Sequence, residues 1–268
     1  SVSVSGCVVT TLKGHNKSIL SIDMSRDKLY VCTGSEDKTA RVWRVESGAV
    51  ACICILNHSE PVNSVRFSRD GRRVVTGSTD RMVRVWFKDT GDLIRTYKGD
   101  FVSDTVVSVS FSPDGSQVLA GCLDGRLILW DTNNSSGSGP SSSSTTSTSV
   151  APVLTMEHSG RLSCCCYSPD GTIIASACLG VISITSTTDT AGTTAATASG
   201  TTTGTNGVSD GVVALNARGG VRGKQRGIIT IWSTDPASAS NNSSKAPRAL
   251  TEVEAHEGSI DCMCYSSN

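Results

Sequence analysis

The sequence predicts an all-β fold assembled from repeated sheets stacked on one another, and three observations predict it. Tryptophans recur at Trp43, Trp86 and Trp130, separated by 43 and 44 residues. Ahead of them run three parallel segments, VCTGSEDKTARVW, VVTGSTDRMVRVW and VLAGCLDGRLILW, each with an aspartate (Asp37, Asp80, Asp124) six residues before its tryptophan. Between turn residues the apolar positions alternate with period two, as in short half-buried strands, and no segment shows a convincing helical period. A sheet of about four such strands cannot bury both faces alone, so neighbouring copies have to stack.

The elements repeat in one order. Gly14–His15 and Asn57–His58 open the first two units, each histidine 28 residues before its tryptophan. An alternating strand follows (SIDMSRDKLYV, SVRFSRDGRRV, SVSFSPDGSQV), broken by a Ser-x-Asp turn, then a second strand, the turn aspartate and the strand ending in tryptophan. A fourth unit runs from His158 through CCCYSPDGTIIASAC to GIITIW at Gly227–Trp232, and a fifth begins at His256 with SIDCMCYS. The resulting units are 13–56, 57–98, 99–132 and 151–234, with 249–268 as the start of an incomplete fifth and 1–12 as the outer strand of a preceding one.

Composition explains what separates them. Hydrophobic residues at 37% and aromatics at 4% are lean for a packed globule, but the deficit is local. Stretches of roughly 133–149, 183–226 and 235–247 are almost pure Ser/Thr/Gly/Ala/Asn, and the other 194 residues have ordinary core composition. Such stretches bury too little apolar surface to offset their ordering entropy. Linkers at 133–150 and 235–248 and an insertion at about 180–226 are therefore expected to be disordered.

Several function classes are excluded. Lys+Arg 24 against Asp+Glu 24 leaves no global field to draw a polyanion. No run approaches the apolar length of a membrane span, and SVSVSGCVVTTL lacks the basic and apolar regions of a signal peptide. It also lacks an initiator Met, as expected of a processed chain or a segment of a longer one. Eleven cysteines, an odd number without a secretory signal, point to a reducing compartment, so a cytoplasmic or nuclear location is expected. Cys52-x-Cys54, Cys164–Cys166 and Cys262-x-Cys264 lack the two-residue spacing of structural zinc and read as small apolar fillers. No P-loop, dinucleotide glycine pattern, zinc-protease helix or nucleophile elbow occurs, so no cofactor, metal or small-molecule substrate is expected.

The His…Asp…Trp spacing at this period resembles the WD40 (tryptophan–aspartate) repeat, recurring four times over about 190 residues. The resemblance implies a WD40-type β-propeller with about four to five blades present. Propellers have four to eight blades and this family most often has seven, so the chain is expected to be a segment of a larger, seven-blade propeller. Closure with a partner chain and an irregular five-blade ring are the alternatives.

The resemblance also implies a structural tetrad in each blade. His15, Thr33, Asp37 and Trp43 supply the first, and His58, Thr76, Asp80 and Trp86 the second. Such a set resembles a Ser–His–Asp triad in composition, yet it repeats in register inside a blade, and a structural role is the expectation. The third unit has Asp100 at the histidine position and Ala120 at the hydroxyl position, leaving Asp124 and Trp130 a partial set. The fourth has His158, Ser176 and Trp232, with Arg226 where the aspartate would stand. These two blades are expected to be less rigid than the first two. The extended WD-x-Arg signature of cullin ubiquitin-ligase receptors is absent, since Asn133 follows Trp130–Asp131–Thr132.

Partner-binding positions carried over from the family lie on the rim, at the start of each inner strand and before each turn aspartate. They are Ser18, Leu20 and Glu36; Pro61, Asn63 and Thr79; Thr105, Val107 and Leu123; and Arg161 and Ser163. Several are apolar, which suits protein partners. The expected function is a non-enzymatic scaffold for protein–protein interactions in a multi-protein complex. The alternative is a ribonucleoprotein component whose Arg-Gly run, with Arg218, Arg222, Lys224 and Arg226, contacts RNA. A further basic cluster (Arg66, Arg69, Arg72, Arg73, Arg81, Arg84, Lys88, Arg95) reads as a solvated blade face, with a docking site for an acidic partner as the alternative.

Overall fold

The apolar alternation places buried residues on both faces of each sheet, and the chain resolves this by stacking four sheets. The structure, a computed structural model, describes residues 10–46, 49–98, 101–132, 150–181, 186–188, 194–196, 225–233, 249–256 and 260. Every element among them is a strand. The first sheet joins β1 (Ile19–Met24), β2 (Tyr30–Ser35), β3 (Thr39–Glu46) and β4 (Ala49–Asn57) in that order. The second joins β5 (Val62–Phe67), β6 (Arg73–Ser78), β7 (Val83–Phe87) and β8 (Leu93–Tyr97). The third joins β9 (Val106–Phe111), β10 (Gln117–Cys122), β11 (Arg126–Asp131) and β12 (Leu154–Glu157). In the fourth, β13 (Arg161–Tyr167) and β14 (Ile173–Val181) precede a separate hairpin of β15 (Ser186–Thr188) and β16 (Thr194–Ala196). The fourth sheet then continues with β17 (Gln225–Ser233) and β18 (Ala249–His256). All pairings are antiparallel.

The ladders move two boundaries. Leu154–Glu157 pairs with β11, Met156 buries in the core between the third and fourth sheets, and so 151–157 closes the third blade rather than opening the fourth. Ala249–His256 likewise pairs with β17 as the outer strand of the fourth blade rather than starting a fifth. The linkers at 133–150 and 235–248 thus fall between the third and fourth strands of a blade, and the 180–226 insertion between the second and third. His58 and His158 each follow an outer strand and His256 ends one, and the sequence reading assigned that strand to the wrong unit where a low-complexity run preceded it. Within the 180–226 insertion, 186–188 and 194–196 pair as a hairpin, and β14 and β17 extend the fourth blade into both of its ends. Residues 1–9 lie outside the described residues, and 10–12 form no strand.

The core lies between sheets rather than within one. Val62, Val65 and Phe67 of β5 pack with Cys32 and Val42 of the first sheet, and Val106, Val109 and Phe111 of β9 with Val75 and Val85 of the second. Leu162, Cys165 and Tyr167 of β13 do the same against Leu119 and Leu129 of the third. A glycine makes the approach close enough. A Cβ on Gly34, Gly77 or Gly121 would lie 2.9, 2.6 or 2.5 Å from an atom of the next inner strand. The fourth sheet carries Ala177 at this position, packed with Ile260.

A repeated hydrogen bond registers the stack. Val65 N–H donates to Ser21 Oγ (3.2 Å), Val109 N–H to Ser64 Oγ (3.1 Å) and Cys165 N–H to Ser108 Oγ (3.1 Å). Each spans two sheets and contributes about 1 kcal/mol. The face of β1 away from the second sheet carries Ile19, Ile22 and Met24 at 52%, 63% and 57% exposure, whereas their counterparts Val62, Val65 and Phe67 are buried by the sheet before them.

The glycine contact predicts the cost of closing it. Gly77→Ala pushes a methyl into Val106 and Val109, whose branched side chains have little rotamer freedom, and destabilises the protein by about 1–3 kcal/mol in urea unfolding.

Candidate functional site

In the first two blades the turn between the second and third strands presents an aspartate, and the segment entering the blade presents a histidine beside it. In the first blade His15 Nδ1 lies 2.8 Å from Asp37 Oδ2 and Nε2 lies 2.7 Å from Thr33 Oγ1. Trp43 Nε1–H donates to the same Thr33 Oγ1 at 2.9 Å. With its Oγ accepting from the indole, the threonine donates its own proton to His15 Nε2, which leaves the imidazole's Nδ1–H for Asp37. The second blade repeats this at 3.3 Å (His58 Nδ1–Asp80 Oδ2), 2.8 Å (His58 Nε2–Thr76 Oγ1) and 2.9 Å (Trp86 Nε1–Thr76 Oγ1). Every polar atom of these sets is engaged within its own blade.

The carboxylates and imidazoles titrate accordingly. Burial pushes the Asp37 carboxyl up, but bonds from Thr39, His15 and the Asn16 N–H outweigh it and hold the group well below the usual carboxylate range. Asp80 is likewise held low by His58 and Arg84 against the effect of burial. Burial holds His58 below its ordinary value against the opposing pull of Asp80, so it is neutral in the fold.

The incomplete sets are rebuilt with other partners. In the third blade Ser103 Oγ donates to Asp124 as Ser59 Oγ donates to Asp80 in the second, while Asp100 lies outside the described residues. Ala120 offers no acceptor, and Trp130 Nε1 is buried without a hydrogen-bond partner among the described residues. Its ring stacks on Tyr97 at 5.1 Å. In the fourth blade His158 Nε2 lies 2.7 Å from Ser176 Oγ, which accepts from Trp232 Nε1 at 2.9 Å. The aspartate's role passes to the Gly125 carbonyl, 3.0 Å from His158 Nδ1. Arg226 stands in β17 opposite Gly180, in a ladder rather than in a turn.

Rim positions share one structural device. Each inner strand begins with an irregular register that leaves one residue out of the ladder: Leu20, Asn63, Val107 and Ser163. Such bulges re-aim a side chain and end regular pairing. The residue before each turn aspartate ties back to the same strand start, Glu36 N–H to Ser18 O, Thr79 N–H to Pro61 O and Leu123 N–H to Thr105 O. The positions therefore cluster blade by blade at one end of the sheets. Leu20 is 43% exposed and Arg161 is exposed, whereas Asn63 Nδ2 is committed to Val106 O and Thr79 Oγ1, and Ser163 Oγ to Ala177 O.

The basic cluster of the second blade does not form one face. Arg84 pairs with Asp80 at the tetrad end, and Lys88 is buried over the Tyr30 ring and pairs with Asp89. Arg69 and Arg73 sit at the opposite end, where Arg69 donates to Pro169 O and Arg73 to Gly115 O. Arg218, Arg222 and Lys224 lie outside the described residues. Among the described residues no group of three or more His, Cys, Asp or Glu gathers to hold a metal, and no helix is long and apolar enough to cross a membrane. The interblade serines Ser21, Ser64 and Ser108 escaped the sequence reading, although they align in SIDMS, SVRFS and SVSFS.

The family model described as WD domain, G-beta repeat matches at residues 6–44, 50–86, 91–131 and 151–184, together more than half of the chain. The chain belongs to the WD40 repeat family. It is also similar to eukaryotic translation initiation factor 3 subunit I of Eremothecium gossypii, 51% identical over 41 residues. That match spans 15% of this chain and 12% of the relative.

Two outcomes follow from the tetrads of this WD40 protein. Ala120→Ser gives Trp130 Nε1 an acceptor at the position Thr76 fills, and raises stability by about 1 kcal/mol in denaturant titration. His58 and His158 are both held below their ordinary value, chiefly by burial. Their stabilising contribution is therefore complete above the unfolded-state histidine value and is lost progressively as pH falls from there through the lowered folded value. The melting temperature is lower at pH 5.5 than at pH 7.5, and His58→Asn, less stable at pH 7.5, shows a shallower decline.

Proposed function

We propose that the protein is a non-enzymatic scaffold that holds protein partners in a multi-protein complex through the rim at the tetrad end of its blades. One observation carries this reading. The only Ser/Thr–His–Asp-like constellations among the described residues are saturated by their own blade's hydrogen bonds and recur in register, so they position loops instead of attacking substrates. The loops they position carry the bulge residues and their neighbours, Ser18, Leu20 and Glu36 in the first blade, Pro61, Asn63 and Thr79 in the second, Thr105, Val107 and Leu123 in the third, Arg161 and Ser163 in the fourth. A rigid rim with apolar members such as Leu20 and Leu123 suits the desolvated centre of a protein interface. The name of the similar protein, a subunit of a translation initiation factor, supports membership of a larger assembly.

Affinity capture of the tagged protein, with and without nuclease and read by mass spectrometry, tests this. The expected result is a protein set that survives nuclease and falls at least fivefold in Leu20→Asp/Glu36→Arg, with an unchanged melting temperature. A set that ignores the double substitution removes the rim from the reading, and a set that collapses with nuclease replaces it with an RNA-dependent one.

A further inference from the structure

The end of the sheets opposite the tetrads is built from the Ser-x-Asp turns. Four equivalent turns, at 25–29, 68–72, 112–116 and 168–172, join the first and second strands of their blades. In each, the serine Oγ donates to the aspartate Oδ1 at 2.5 Å. The same Oδ1 accepts a backbone N–H two residues on. Asp114 and Asp170 have both carboxylate oxygens bonded within their own turns, and Asp114 is held at about 2 by the Ser112 and Ser116 hydroxyls and the Ser116 N–H.

The residue between serine and aspartate faces no such demand, and it is Arg26 in the first turn and Arg69 in the second. Together with Arg73, at the start of β6, they line a cavity of about 290 Å³ with Asp70, Asp114 and Gly115. None of the three arginines forms an ion pair with a described carboxylate. The acceptors found for Arg69 and Arg73 are the neutral carbonyls of Pro169 (3.3 Å) and Gly115 (2.9 Å). Three guanidinium groups in one concave site, outnumbering the two carboxylates of Asp70 and Asp114 there, form a site for an oxyanion.

We propose that this cavity binds the phosphate of a phosphorylated serine or threonine side chain on a peptide. A phosphomonoester presents three terminal oxygens to donors arriving from different turns, which a planar carboxylate cannot match. Asp70 and Asp114 in the lining put fixed negative charge beside the arginines, which leaves room for one phosphate at a point but disfavours the continuous phosphodiester backbone of a nucleic acid. Thr132 caps the same place, its Oγ1 donating to Gly115 O (3.0 Å) and Ser116 O (2.9 Å). The sequence that follows it, 133–149, is rich in serine and threonine and contains no charged residue, so it supplies a natural probe.

The test is fluorescence anisotropy with the full chain and a labelled peptide of residues 137–148 carrying phosphoserine at Ser142. The phosphopeptide is expected to bind at least tenfold more tightly than its unmodified and Ser142→Glu forms. Arg26→Glu/Arg69→Glu, at two exposed positions, removes that preference at least tenfold while the melting temperature stays unchanged. Equal binding of the three peptides, binding indifferent to the double substitution, or displacement of the phosphopeptide by an equal charge of polyuridylate each overturns the proposal.

Discussion

Everything in this molecule depends on the contact between one sheet's second strand and the next sheet's first. A four-stranded sheet of this composition has two apolar faces and no helix to cover either, so its stability is a property of neighbours. The contact is close because Gly34, Gly77 and Gly121 present no side chain to it. It is in register because Ser21, Ser64 and Ser108 capture a backbone N–H that the open edge of the next inner strand would otherwise leave unpaired. Where the contact has no sheet on the other side, as on the outer face of β1, the same apolar side chains stand in solvent.

The two ends of the sheets solve different problems with the same residue types. At one end, a histidine, a hydroxyl, an aspartate and an indole close a chain of hydrogen bonds that holds the entering segment against the blade. In the fourth blade the Gly125 carbonyl takes over one of the aspartate's tasks, accepting from Nδ1. The third shows the limit of substitution: Ser103 binds Asp124 as Ser59 binds Asp80, but among the described residues nothing replaces the hydroxyl that Trp130 needs. At the other end, serine and aspartate close a short turn on themselves. The residue between them is then under no structural demand, which leaves Arg26 and Arg69 for other work.

A rigid frame with two chemically distinct ends is a sound basis for assembly. The hydrogen bonds of the two complete tetrads close inside their own blades, so in the proposed reading rim side chains such as Leu20 are not needed to hold the fold together. The bulges at Leu20, Asn63, Val107 and Ser163 are the points where regular pairing gives way to display, and Asn63 shows that not every displayed residue is left available.

The all-β class, strand order within the first two blades and the spacing of the residues in both complete tetrads were legible in the sequence, because each rests on local alternation and a fixed spacing from histidine to tryptophan. Tertiary structure decided what depends on pairing across an insertion. Leu154–Glu157 and Ala249–His256 are short alternating strands whose own residues do not say which sheet they join, and only the ladders to β11 and β17 settle it. The Gly125 carbonyl that replaces an aspartate carries no side chain to be read in a sequence. The cavity of Arg26, Arg69 and Arg73 was equally hidden, since its members come from turns of different blades that meet only once the sheets have stacked.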